Sequence, residues 1–74
     1  MNRADKIAKL AHAVKEWRGV SHPKTGAWLK MPHPKAQRRV EKWMLELGIN
    51  PEEGVKQILG FEKYVDFYAW VRAL

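Results

Sequence analysis

The chain has no cysteine, and its only aliphatic hydroxyl side chains are those of Ser21 and Thr25. Without cysteine it can form neither a disulfide nor a thiolate metal cage, and this composition fits a reducing compartment. Nucleophilic catalysis therefore has almost no candidate residue. We expect a protein that is not an enzyme and that uses no cofactor.

Motifs that bind phosphate through a glycine-rich loop are also absent, since neither G-x-x-x-x-G-K-[ST] nor G-x-G-x-x-G occurs. His12, His22 and His33 are too scattered for a known metal-ligand spacing, so we expect no metal site. The adjacent Glu52 and Glu53 are better explained as acids that favour the dipole at a helix N-terminus than as a catalytic pair.

Long apolar runs are missing as well. The first residues, MNRADKIAKL, lack the apolar stretch of about 7 to 15 residues that a signal peptide needs. No segment approaches the roughly 20 apolar residues of a membrane span. We therefore expect a cytoplasmic location and no membrane partner.

Acidic residues are absent between Trp17 and Val40, although that window contains six lysines and arginines. The net charge is +6 and the pI about 9.9. Residues 1–50 hold eleven cations against four acids, whereas residues 51–74 hold three against four. This asymmetry favours a positive surface that faces phosphate or an acidic protein. A basic face kept for solubility is the alternative.

The segment from Pro34 to Leu47 is predicted to form a helix with two faces, and Gly48 is predicted to end it. One face is an apolar stripe at helical spacing, made of Ala36, Val40, Trp43, Met44 and Leu47. Another face carries a row of cations. With the basic residues before it, this row defines the predicted nucleic-acid-binding residues: Arg18, Lys24, Lys30, Lys35, Arg38, Arg39 and Lys42.

The remaining segments predict a mostly α-helical single domain over residues 1–74, a bundle of about four helices. The first helix is capped by Asn2, ends at Gly19 and carries His12 and Glu16 as an i,i+4 pair on its polar side. An extended or hairpin insertion follows, with Gly19 to Ser21 and Ala27 to Lys30 as possible strands and Gly26 in a left-handed position. Asn50 caps a helix predicted from Pro51 to Leu59, and the last helix is predicted from Phe61 to the end.

Trp17, Trp43 and Trp28 can each be placed in the core or on the surface from their position in the sequence. Trp17 and Trp43 lie on apolar stripes and are predicted to be core residues. We predict that Trp28 or the adjacent Leu29 anchors the hairpin against the helices. For Trp28, which lies between Lys24 and Lys30, the alternative is an exposed ring. An exposed ring there would stack on a base or fill a pocket in a partner.

The last helix is apolar around most of its circumference. Five of its residues are enough to close the core: Phe61, Tyr64, Val65, Tyr68 and Val71. This leaves Phe67, Trp70 and Leu74, whose composition is that of an interface hot spot, as the predicted protein-binding residues. The alternative is that the first helix covers them.

These patterns lead to three hypotheses about function. In its size, charge and lack of cysteine the chain is similar to the small regulators that phages and mobile elements encode. The first hypothesis is such a regulator, docked on a nucleic-acid machine such as RNA polymerase or a CRISPR effector, with its basic patch on phosphate. The second is an independent DNA- or RNA-binding protein, and the third an adaptor that binds an acidic protein. Base readout by a helix-turn-helix is disfavoured, because its second helix would begin with Glu52 and Glu53.

Overall fold

Four helices and a two-stranded hairpin make up the protein, and the computed structural model describes all 74 residues. The helices are α1 (Arg3–Arg18), α2 (Gln37–Glu46), α3 (Pro51–Leu59) and α4 (Tyr64–Arg72). Strands β1 (Val20–Ser21) and β2 (Trp28–Lys30) pair antiparallel between α1 and α2, and a 3-10 turn (Pro34–Ala36) leads into α2. The predicted mostly helical fold with a hairpin insertion is confirmed.

Local capping interactions set the ends of the helices. The side-chain oxygen of Asn2 accepts a 2.9 Å hydrogen bond from the amide of Asp5, and that of Asn50 accepts one from Glu52 at 3.0 Å. Gly48 follows α2 with a φ of 76°, a conformation that a residue with a side chain adopts only at a cost. The predicted caps of α1 and α3 and the left-handed stop after α2 are therefore confirmed. The other two starts differ, since Pro34–Ala36 forms a 3-10 turn before α2, and α4 begins at Tyr64, three residues after the predicted Phe61.

The core lies around α1, which packs against both α2 and α4, while α3 packs on α2. Helix α1 contributes five of the eleven buried apolar residues, including Trp17, as predicted. The full set is Leu10, Ala11, Ala13, Val14, Trp17, Ala36, Val40, Met44, Ile58, Phe67 and Val71. Trp43 is half-buried and packs at the edge of this core.

The face assignment of α4 requires a correction. Phe67 is buried, with 3% of its surface exposed, whereas Val65, a predicted core residue, is 52% exposed. The prediction that Phe67 faces a protein partner is therefore wrong. Trp70 and Leu74 are half-buried and pack against the core, so the predicted exposed cluster does not form. The reason is that the buried stripe runs along Tyr64, Phe67, Val71 and Leu74, which are spaced for one helical face.

Backbone contacts help to hold the hairpin to the helices. Trp28 is 52% exposed and Leu29 is 67% exposed, so the prediction that one of them anchors the hairpin is wrong. Instead, the amide of His33, just beyond β2, donates a 2.8 Å hydrogen bond to the carbonyl of Glu16. Gly19 lies so close to the Lys30 carbonyl that a Cβ atom there would be 2.6 Å from its oxygen.

Strand β2 contains one residue more than its partner. Val20 pairs with Lys30 and Ser21 pairs with Trp28, so Leu29 has no partner and forms a bulge. None of the four helices is both long and apolar enough to cross a bilayer.

Candidate nucleic-acid interface

An open cleft of about 490 Å³ forms where the C-terminal part of α1 meets the start of α2. The polypeptide from Lys30 onwards runs along this junction, because the amide of His33 is hydrogen-bonded to α1. Residues that are far apart in the sequence therefore line the same cleft. The lining residues are Glu16, Lys30, His33, Lys35, Ala36 and Arg39.

Glu16 lies at the centre of the charged side chains of this cleft. Its carboxylate accepts a hydrogen bond from the guanidinium of Arg39. It also lies 3.0 Å from Nε2 of His12 and 3.8 Å from Nζ of Lys30. The hydrogen bond from Arg39 and the positive charges around the carboxylate hold the pKa of Glu16 below its ordinary value, despite partial desolvation. The cleft thus already contains an ionised carboxylate at neutral pH.

Only one part of this cluster is predicted by the sequence. The predicted pair of His12 and Glu16 is present. The contacts of Glu16 with Lys30 and Arg39, 14 and 23 residues away, were missed. The available signal was the position of Glu16, immediately before the window that has no acidic residue.

Six of the seven predicted cations lie on the hairpin, the 3-10 turn and α2, and we call them the basic surface: Lys24, Lys30, Lys35, Arg38, Arg39 and Lys42. Lys30, Lys35 and Arg39 line the cleft directly. Arg38 is exposed and its side chain makes no hydrogen bond or ion pair within the protein, while Nζ of Lys42 lies 5.0 Å from the centre of the Trp43 ring. Lys24 is exposed in the turn of the hairpin.

Arg18, the seventh predicted cation, belongs to a different part of the protein. Its guanidinium donates hydrogen bonds to the carbonyls of Ile58 at 2.8 Å and Phe61 at 2.9 Å, and it lies over the ring of Phe67. The assignment of Arg18 to a nucleic-acid surface is therefore corrected to a structural role. The physical reason is helix geometry, since two residues along α1 turn the side chain by about 200° away from Glu16.

Exposed apolar side chains lie next to the basic surface. Trp28, Leu29 and Met31 are all more than half exposed, and they flank Lys30 in the sequence. Of the two interpretations of Trp28, the structure agrees with the exposed ring.

Helix α4 offers less for a protein partner than the sequence predicted. Tyr64 and Tyr68 stack on each other with ring centres 5.4 Å apart, and Nζ of Lys15 from α1 lies 4.4 Å from the centre of the Tyr68 ring. This face of α4 is therefore partly covered by α1.

No three side chains of histidine, aspartate or glutamate lie close enough together to hold a metal ion. No protein-family model matches the chain, and neither a curated protein nor a solved structure shows significant similarity to it.

Proposed function

We propose that this protein binds nucleic acid, without catalysis, by placing its basic surface on the phosphate backbone. One observation carries the proposal. Lys30 from β2, Lys35 from the 3-10 turn and Arg39 from α2 converge on one cleft whose lining includes a single carboxylate. Arginine and lysine are the side chains that most often contact phosphate.

The arrangement of charge favours contacts with the backbone over readout of bases. Exposed cations along α2, such as Arg38 and Lys42, extend the positive surface beyond the cleft. Helix α3, which would enter the major groove in a helix-turn-helix, begins with the exposed carboxylates of Glu52 and Glu53. These acids would repel a polyanion at the position where contacts with base edges are made.

The test is a salt titration of binding to a labelled duplex and to a single strand of the same sequence, followed by fluorescence anisotropy. Each phosphate that the protein neutralises contributes about −0.9 to the log–log slope on duplex DNA and about −0.7 on a single strand. Arg38→Ala should make this slope shallower by the contribution of about one phosphate on each ligand, because the Arg38 side chain is exposed and pairs with no other residue. Lys63→Ala is the matched control, since Lys63 is exposed and lies just before α4.

Two results would contradict the proposal. One is affinity that does not change with salt, and the other is an equal effect of the Arg38 and Lys63 variants. A polyglutamate peptide is the competing ligand in the same assay. If it binds as tightly as the oligonucleotides, the basic surface is instead a site for acidic proteins.

A second candidate function is suggested by the apolar side chains of the hairpin. In it, the nucleic acid belongs to a larger nucleoprotein enzyme, and Trp28, Leu29 and Met31 contact its protein part. The discriminating experiment is retention of that enzyme on the immobilised chain after nuclease treatment. Retention that survives nuclease and is lost with Trp28→Ala favours this candidate, whereas retention that nuclease abolishes favours direct binding of nucleic acid.

A further inference from the structure

The cleft holds an anion that belongs to the protein itself. Glu16 is the only acidic residue that lines it, and its carboxylate contacts two of the three cations there, Lys30 and Arg39. Lys35 has no contact with Glu16 and is exposed. One cation of the cleft is therefore free to meet a ligand while the other two are engaged.

A carboxylate and a phosphate group compete for the same donors. Both are oxyanions that accept hydrogen bonds from guanidinium and ammonium groups, and arginine binds each of them through a pair of parallel N–H donors. Two anions at contact distance also repel each other. A phosphate in the cleft would therefore have to share Lys30 and Arg39 with Glu16 or displace it.

Displacement is sterically accessible. The side chains of Arg39 and Lys30 are 54% and 43% exposed, so both can turn away from Glu16 without disturbing the core. The imidazole of His12, 3.0 Å from Glu16 and outside the lining of the cleft, remains as a partner for the displaced carboxylate.

We propose that the cleft is a phosphate-binding site in which Glu16 is an internal competitor, exchanged for a phosphate group that Lys30, Lys35 and Arg39 then hold. This inference rests on the proposed binding of nucleic acid and identifies the residue that limits its affinity. Lys35 makes the first contact, and release of Arg39 and Lys30 from Glu16 completes the site.

The test compares two variants that each remove one negative charge. Glu16→Gln removes the competitor, and Glu46→Gln removes a carboxylate that pairs with Lys6 at 3.7 Å and does not line the cleft. Glu16→Gln should raise affinity for an oligonucleotide about three- to tenfold, since two exposed ion pairs no longer have to be broken. It should also steepen the salt dependence, whereas Glu46→Gln should produce only the smaller effect of net charge.

The direction of the change decides between competition and preorganisation. If Glu16 instead positions Arg39 and Lys30 for the ligand, Glu16→Gln will weaken binding, and that result overturns the proposal. Equal affinities of the two variants overturn it as well. Glu16→Asp provides a second variant that keeps the charge but shortens the side chain by one methylene, which moves the carboxylate away from Lys30 and Arg39. Its affinity should lie between those of the parent and Glu16→Gln.

An inorganic phosphate titration of the unsubstituted protein gives an independent readout. The NMR signal of the Glu16 carboxyl carbon and that of the Arg39 side-chain N–H should shift together as phosphate enters the cleft. If these signals shift but no oligonucleotide binds, the exchange stands and the proposed function fails. The opposite result is also informative. If oligonucleotides bind the parent while these signals do not shift, and if Glu16→Gln and Glu46→Gln bind with equal affinity, then the proposed function stands and the exchange is wrong.

Discussion

The guanidinium of Arg18 donates a 2.8 Å hydrogen bond to the backbone carbonyl of Ile58, 40 residues away, in the last turn of α3. Carbonyls at a helix C-terminus lack intrahelical donors and carry partial negative charge, so a cation is favourable there. A second N–H of the same guanidinium reaches the Phe61 carbonyl in the loop before α4. Through Arg18, α1 thus fixes the connection between α3 and α4.

The first prediction is that Arg18→Ala destabilises the protein without affecting the basic surface. Loss of two charge-assisted hydrogen bonds from a half-buried side chain should lower the free energy of unfolding by about 2–3 kcal/mol. Urea denaturation followed by circular dichroism measures this loss. Well below the melting temperature, the salt dependence of nucleic-acid binding should match that of the parent. A shallower salt dependence for the variant would show that Arg18 contacts nucleic acid after all.

The second prediction concerns the packing of α4. Phe67→Ala should cost about 3–5 kcal/mol, because it leaves a cavity within the core. Trp70→Ala should cost less, since Trp70 is only half-buried. Thermal melts of the two variants, compared with the parent, measure both effects. The opposite order would mean that the helix presents the other face to α1.

The third prediction concerns the contact between Gly19 and the hairpin. Gly19 has a φ of 77°, and an added Cβ would lie 2.6 Å from the Lys30 carbonyl oxygen. Gly26 has a similar φ of 73° but open space around it. Gly26→Ala should therefore incur only the backbone penalty of about 1–2 kcal/mol. Gly19→Ala should cost clearly more and should displace Lys30 from the cleft, and equal melting temperatures for the two variants would refute this account.

The fourth prediction tests the exposed tryptophan. Trp28→Ala should leave the melting temperature nearly unchanged, since about half of the side chain is already in solvent. If the ring stacks on an unpaired base, the variant should lose about 1–3 kcal/mol of affinity for a single strand and much less for a duplex. Leu29→Ala is the control, because Leu29 is exposed and cannot stack. Equal losses for the two variants would exclude stacking.

The fifth prediction is a pH dependence of stability that originates at Glu16. Because the pKa of Glu16 is lowered in the folded protein, its ion pairs stabilise the fold at pH values above 4.5, the ordinary pKa of this side chain. That contribution is lost as the pH falls through the lowered pKa. Melting temperatures of the parent and of Glu16→Gln should therefore differ at neutral pH and approach each other towards strongly acidic pH. A difference that does not change with pH would show that Glu16 does not contribute through its charge.

The fold class and most helix ends could be predicted from the sequence because their causes are local. Asn2 and Asn50 cap amides two or three residues away, and Gly48 ends α2 through its own φ. The apolar stripe of α2 also predicted its buried residues, Val40 and Met44. Local hydrogen bonds and a clear helical period leave few alternative conformations for these segments.

The tertiary structure decided which side chains meet. Helix α4 is apolar around most of its circumference, so its sequence alone does not select the face with Phe67, and only packing against α1 does so. The contacts of Arg18 with Ile58 and of Glu16 with Arg39 join residues 40 and 23 positions apart. Such contacts depend on how whole helices pack, which the pattern within each helix does not contain. A basic segment was therefore readable from the sequence, whereas the carboxylate within its cleft became visible only when α1 was placed beside α2.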